Sequence, residues 1–325
     1  MKIFNYQKIC QELLKDLPER QKEVISRRFG LAGGERETLE SIGKDFSITR
    51  ERVRQIEMDG LLRLKPKTEK YQKIFQHFQR YLKNQGGLKK EDILLKELGG
   101  ENQKPQVYFL LTLGENFQRF GETKDFYSLW TLDRNSLVLA KKVIDSFSNK
   151  LKEIGKPLSL KELSSFSDLK KPVLTPYLEI SKKIQQNSEG LFGLLDWPEI
   201  NPRGVKDKAY LVFKKIGKPL HFAEIAELIE GSLVQTVHNE LIKDPRFVLV
   251  GRGIYALEEW GYSPGQVKDV ILKILKEEGR PLTKEEILEK VRKQRLVKEN
   301  TVFLNLSNKK RFLRNSQGKY EVKEI

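Results

Sequence analysis

The sequence predicts a mainly α fold: an N-terminal helix-turn-helix domain followed by four tandem winged-helix units, each helical with a small β-hairpin wing. Three observations lead there. One segment recurs three times at a fixed spacing, a short aromatic pattern closes each copy, and the first 66 residues instead hold capped helices around a glycine-bearing loop. A chain of 325 residues is long enough for several small domains.

At the N-terminus, Leu17-Pro18-Glu19-Arg20 opens a helix, with proline near its first position and an acid in its first turn. Val24, Ile25 and Phe29 continue it on a helical stripe, and Gly30 with Gly33-Gly34 ends it and supplies a loop. Thr38 is the next N-cap candidate, ahead of Leu39, Ile42 and Phe46. Ser47-Ile48 makes a short turn, and Thr49 caps a second helix running from Arg50 towards Leu64. On that helix Val53, Ile56, Leu61 and Leu64 form the buried stripe, while Arg50, Glu51, Arg54 and Gln55 crowd the first turn and a half. The N-terminal end of a recognition helix enters the major groove and needs side chains that reach base edges. Arginine bonds guanine, glutamine bonds adenine, and glutamate accepts from cytosine. Arg52 and Arg54 suit phosphates equally well. A solvated face of ion pairs, Arg50 and Arg54 with Glu51 and Glu57, accounts for the same composition, and the residues alone leave both readings open.

The repeated segment is Lys152-Glu153-Ile154-Gly155-Lys156-Pro157-Leu158, then Lys214-Lys215-Ile216-Gly217-Lys218-Pro219-Leu220, then Lys276-Glu277-Glu278-Gly279-Arg280-Pro281-Leu282; its glycines stand 62 residues apart. Leu163, Ile225 and Ile287 hold one apolar register behind it, and a weaker copy at Gly86-Gly87-Leu88 leads to Ile93. Closing strands read as Gly-x-aromatic-x-aliphatic at Gly190–Leu194, Gly253–Leu257 and Gly318–Val322, with Asp125–Leu129 fitting without the glycine. Trp130, Trp197 and Trp260 come next as structural plugs. Capping boxes begin helices at Ser159, Ser232 and Thr283, and Ser263-Pro264 places a proline at a first helical position. Each unit therefore reads as helix, Gly-Lys-Pro turn, helix, helix and hairpin. The domains are 1–66, 67–134, 135–202, 203–262 and 263–325, with 198–202 as a linker.

Charge narrows the function. Lysine and arginine number 61 against 45 acids, a surplus of 16 that favours a polyanionic partner, most simply nucleic acid. The five segments carry net charges of +3, +3, +2, +1 and +7. The last unit is therefore the candidate for a second nucleic-acid contact, through Lys290, Arg292, Lys293 and Arg295, or through Lys309, Lys310, Arg311 and Arg314; the near-neutral units suit protein contacts or spacing. Cys10 is the only cysteine, and His77, His221 and His238 are widely spaced, which excludes disulfides and a zinc cluster. No apolar run approaches membrane-spanning length, and the start is not a secretory signal. The chain is expected to be cytoplasmic and nucleoid-associated. With no phosphate-cradling loop and no nucleophile–base set, no catalytic residues, metal, cofactor or small-molecule substrate are expected.

The residues Leu17–Arg20, Arg28-Phe29-Gly30-Leu31, Thr38–Lys44 and Ile48–Glu57 resemble region 4 of the sigma-70 family, over about residues 12–66. The resemblance implies promoter −35 DNA and the polymerase flap as partners. By it, Arg50, Glu51 and Gln55 read bases, while Arg52, Arg54, Thr38 and Lys44 hold phosphates. Ser41, Asp59 and Leu62 depart from the family pattern, and nothing resembles region 2, so a complete sigma factor is not expected. Residues 203–262 resemble the HARE-type winged helix, a type that includes the N-terminal domain of the polymerase delta subunit. Two readings result: a DNA-binding transcription protein, or a polymerase-associated adaptor working through protein contacts.

Overall fold

The computed structural model describes residues 4–323, and most of its helices begin where a side chain or proline closes the first turn. Four helices open the chain: α1 (Tyr6–Leu14), α2 (Glu19–Phe29), α3 (Leu39–Asp45) and α4 (Arg50–Leu64). The Thr38 hydroxyl accepts from the Ser41 N–H at 3.1 Å and Thr49 accepts from Arg52 at 3.2 Å, so both expected caps form. Gly30 ends α2 in the left-handed region, at φ 69°, as the sequence expects. Val24, Ile42, Val53 and Ile56 make a small core between α2, α3 and α4, with Leu39, Phe46 and Ile48 against it. Gly60 lets α4 approach α2: a Cβ there would lie 2.6 Å from Ile25 Cδ1.

The turn between α3 and α4 holds Ser47 at φ 51°, a conformation that side chains other than glycine adopt at a cost. Ser47→Gly is expected to stabilise this domain by about 1 kcal/mol, read as a higher midpoint in urea unfolding followed in the α2–α4 amides.

The next units repeat one pattern. The first runs α5 (Gln72–Asn84), β1 (Leu88–Lys90), α6 (Glu91–Gly99), α7 (Lys104–Leu113), β2 (Gln118–Phe120) and β3 (Leu129–Thr131). The second runs α8 (Arg134–Ile154), β4 (Leu158–Ser159), α9 (Leu160–Ser164), α10 (Lys171–Glu179), β5 (Ile184–Gln186) and β6 (Leu191–Leu194). The third runs α11 (Gly204–Ile216), β7 (Leu220–His221), α12 (Phe222–Leu228), α13 (Val234–Lys243), β8 (Phe247–Gly251) and β9 (Ile254–Leu257). The fourth runs α14 (Val267–Glu278), α15 (Lys284–Gln294), α16 (Glu299–Leu306), β10 (Phe312–Arg314) and β11 (Tyr320–Val322). The chain is thus mainly helical, with small antiparallel sheets between the helices.

Each three-stranded sheet is ordered first, last, middle: β1-β3-β2, β4-β6-β5 and β7-β9-β8. The strand at the Gly-Lys-Pro-Leu turn is not legible in the sequence, because two or three residues show no alternation. It forms by pairing with the closing strand, as Leu220 does opposite Tyr255. In the fourth unit a single bridge between Leu282 and Tyr320 stands in its place. Leu163, Ile225 and Ile287 are fully buried, as their common register predicts.

Three expectations are corrected. Ser232 does not cap α13; Leu233 precedes it and provides no side-chain cap. Ser263-Pro264 does not start a helix, since Gly265 at φ 97° intervenes and Gln266 caps α14. Asp125–Ser128 is not part of the closing strand, which is Leu129-Trp130-Thr131. Those residues instead lie along the second repeat, with Tyr127 N–H donating to Ile180 O at 3.0 Å and Lys182 N–H to Asp125 O at 2.9 Å. The described residues form two compact units, one ending at Leu195 and one beginning at Asp196.

In the first of these, α1 packs with α7, and Phe29 meets Phe109 edge-on at 5.1 Å, so the N-terminal helices share a core with the first repeat. Cys10 lies in that core, where burial pushes its thiol up to about 12. It is expected to stay unmodified by a disulfide reagent at pH 8 and to react only on unfolding. The third helix of the first repeat is also interior, and that of the second is so beyond its exposed first residues, Lys171 and Pro172. Val107, Phe109, Leu110 and Leu111 of α7 are fully buried. On α10, Leu174, Tyr177 and Leu178 are buried, and the Tyr177 hydroxyl donates to Gly86 O at 3.1 Å. Lys89 of β1 lies 2.9 Å from Glu179 of α10, its side chain 5 % exposed.

Candidate nucleic-acid interface

The N-terminal end of α4 is a solvated face. Arg50, Glu51, Arg52, Arg54 and Gln55 are all exposed, because Val53 and Ile56 take the core side of the same turns. Arg54 clasps Glu51 with two nitrogens, at 2.7 and 2.9 Å, and holds its carboxyl below the usual range. Arg52 donates to Gln55 Oε1 at 3.1 Å. Arg50 makes no hydrogen bond or ion pair among the described residues. Glu57, which composition grouped with them, is turned away: it is half-buried 3.5 Å from Arg28, and burial raises its carboxyl.

Magnitudes decide how much these pairs constrain the face. An exposed pair three residues apart on a helix contributes about 0.2–0.5 kcal/mol. A good bidentate base contact contributes about 1–3 kcal/mol. The Arg54–Glu51 and Arg52–Gln55 links therefore hold the free side chains in place without preventing their exchange onto a ligand.

The supporting groups are fixed more firmly. Arg27 donates to both Glu37 oxygens at 2.7 Å and also bonds Asp45, and Arg28 donates to Glu37 O at 2.8 Å. This network ties the loop after α2 to the end of α3. Composition gave no sign of it beyond the Arg27-Arg28 doublet in the last turn of α2. Thr38 uses its oxygen as the cap acceptor and keeps a hydroxyl proton to donate, and Lys44 is exposed 3.4 Å from Glu40.

The C-terminal basic residues divide. Lys309 and Lys310 are exposed on the turn between α16 and β10, and Arg314 is exposed on the hairpin, with Nε donating to Gly318 O at 3.3 Å. Arg311 is half-buried, 3.5 Å from Asp269. The alternative cluster is largely committed elsewhere. Lys290 pairs with Glu278 at 2.6 Å, Lys293 with Glu289 at 2.9 Å and Arg292 with Glu299 at 3.8 Å. Arg295 is buried and donates to Leu249 O at 2.8 Å and to Gly265 O, so it pins the third and fourth repeats together and is removed from the contact candidates.

Among the described residues no group of three or more His, Cys, Asp or Glu is placed to hold a metal ion, and no helix is long and apolar enough to cross a membrane. His221 has a structural place: its Nδ1 accepts from Ala223 N–H at the start of α12, while Glu224 accepts from its backbone.

Comparison with known proteins bears on one part of the chain. Residues 13–65, from the end of α1 to just past α4, match the family model for Sigma-70, region 4. The chain is similar to an RNA polymerase sigma factor SigA of a Bacillus species, 47 % identical over 55 residues, and to SigA of Clostridium acetobutylicum, 46 % identical over 54 residues. Each match takes in 17 % of this chain and only 15 % and 14 % of the relative.

Proposed function

We propose that the chain is a DNA-binding transcription protein whose N-terminal helix-turn-helix reads promoter-type, −35-like duplex DNA, in transcription initiation or its regulation, without acting as a complete sigma factor. The observation that carries this is the exposed row Arg50, Glu51 and Gln55 on the opening turns of α4, within the stretch that matches Sigma-70, region 4. In this reading those three side chains face bases in the major groove. Arg52, Arg54, Thr38 and Lys44 face phosphates and set the register. Core RNA polymerase is the proposed protein partner, and the chain acts in the cytoplasm on the nucleoid. The four later units are proposed winged helices, the third of HARE type.

Lys309, Lys310, Arg311 and Arg314 form a proposed second contact that holds the backbone without reading sequence. Lys309→Ala with Lys310→Ala is expected to weaken all duplexes alike and to reduce the slope of log affinity against log salt by about 2, from about 0.9 per phosphate contact.

The burial of α7, and of α10 beyond its exposed first residues Lys171 and Pro172, favours a second reading, a polymerase-associated adaptor, since little of either third helix is open to DNA. Both readings are tested by retention of the full chain on core polymerase, followed by a footprint on promoter DNA. A footprint over the −35 region supports the first, and retention on polymerase without any footprint supports the second. Loss of both at moderate salt overturns them together.

A further inference from the structure

One stretch of the third repeat reverses the electrostatics of the chain. From Phe222 to Lys243, α12, its turn and α13 carry Glu224, Glu227, Glu230 and Glu240 against Lys243 alone, in a protein with a surplus of 16 positive charges. The same stretch exposes Leu228, Leu233, Val234 and Ile242, with Leu233 75 % exposed. Leu228 ends α12 and Leu233 and Val234 open α13, so three of the four meet at one short turn, with Glu227 and Glu230 beside them. Single exposed aliphatic side chains are ordinary, but several together mark an interaction surface. DNA does not fit it: carboxylates repel phosphates, and the opening turn of α13 offers no cation.

The complementary chemistry is carried by the fourth repeat. Leu304 on α16 is 74 % exposed, Leu313 faces solvent on β10, and Lys309 and Lys310 lie on the turn that joins them. Neither face is covered within one chain, since both sets of leucines are open. We propose that the α12–α13 face of one copy docks on the α16–β10 face of a second copy, leucines on leucines and carboxylates on ammonium groups. The two faces differ, so the contact is heterologous. A joined pair keeps one free face of each kind, one on each copy, and association is open-ended instead of stopping at a dimer. Rim charges of this kind steer the encounter and make it sensitive to salt.

The test is sedimentation velocity of the full chain without DNA, over roughly 1–200 µM, a span suited to a micromolar interface. The expected result is a mass that rises with concentration and falls as salt is added. Leu233→Asp and Leu304→Asp, both at exposed positions, should each remain monomeric alone. Mixed in equal amounts they should give a species of two chains and nothing larger, because only one intact junction can form. If a leucine variant folds poorly by circular dichroism, Glu230→Lys and Lys310→Glu should each remain monomeric alone and associate again when mixed, here without the limit of two chains, since the exchanged charges also complement one another. A monomer at every concentration, association that survives either substitution, or a mixture that stays monomeric overturns the proposal. None of these outcomes depends on whether α4 or Lys309 binds DNA.

Discussion

Arg50→Ala combined with Gln55→Ala is expected to abolish discrimination between a −35-bearing duplex and a shuffled one, while weak, salt-sensitive binding to both persists. Each bidentate base contact contributes about 1–3 kcal/mol, so losing two costs on the order of 30- to 20,000-fold in specific affinity. The fold should not register the change. Both side chains are exposed, Arg50 has no internal pair among the described residues, and Gln55 gives up only its bond from Arg52. Surface changes of this kind usually stay within about 0.5 kcal/mol of stability. Fluorescence anisotropy with the two duplexes, beside a thermal melt, separates the outcomes. Discrimination that survives in a folded variant would remove α4 as the reading helix.

Glu179→Gln should give the largest loss of stability. The Lys89 ammonium is buried 2.9 Å from Glu179, with Gln85 Oε1 at 3.3 Å and Glu97 at 3.8 Å. Burying both charges was costly, but removing one leaves the other uncompensated, at about 3–5 kcal/mol. Glu97 offsets part of this. Burial first and the Glu179 charge second hold its carboxyl above the usual range, so it ionises more readily once Glu179 is neutral. The pair joins α10 to β1, so amide exchange should quicken first around Leu88–Lys90 and Lys171–Glu179. Lys89→Met with Glu179→Leu should recover most of the loss, because an apolar pair of similar size carries no desolvation penalty. A Glu179→Gln protein with unchanged exchange in both segments would show that the two repeats are held by their apolar contacts alone.

Side chains that close a helix on themselves were readable from order in the sequence, because a cap needs only local spacing. Thr38, Thr49, Ser159 and Thr283 stand where spacing put them, each accepting from the expected N–H. Ser232 failed because Gly231, at φ 72°, lets the chain turn and leaves Leu233 at the helix start. His221 was readable only as a surface or cap residue, since an imidazole is an uncommon substitute for a hydroxyl at that place. Elements defined by partners far along the chain were not legible. Two-residue strands exist only opposite their closing strand. The sequence of α7 and α10 is compatible with a solvent-facing third helix until the neighbouring core is seen to occupy that side. Arg295 shows the same limit at a single residue: within a basic run it looks like its neighbours, yet it alone is drawn inside to bond Leu249 O. The exposed row on α4 was legible as a face, and its internal pairing of Arg54 with Glu51 was among the two alternatives, but the departure of Glu57 to Arg28 was not.

The bare position at Gly60 sets how closely α4 rests on α2. A methyl there would meet the tip of Ile25, which is fully buried, so that either this side chain turns into the packed core or α4 moves away from α2. The closeness of the two helices behind Arg50, ten positions away, thus depends on the lack of an atom at a buried place.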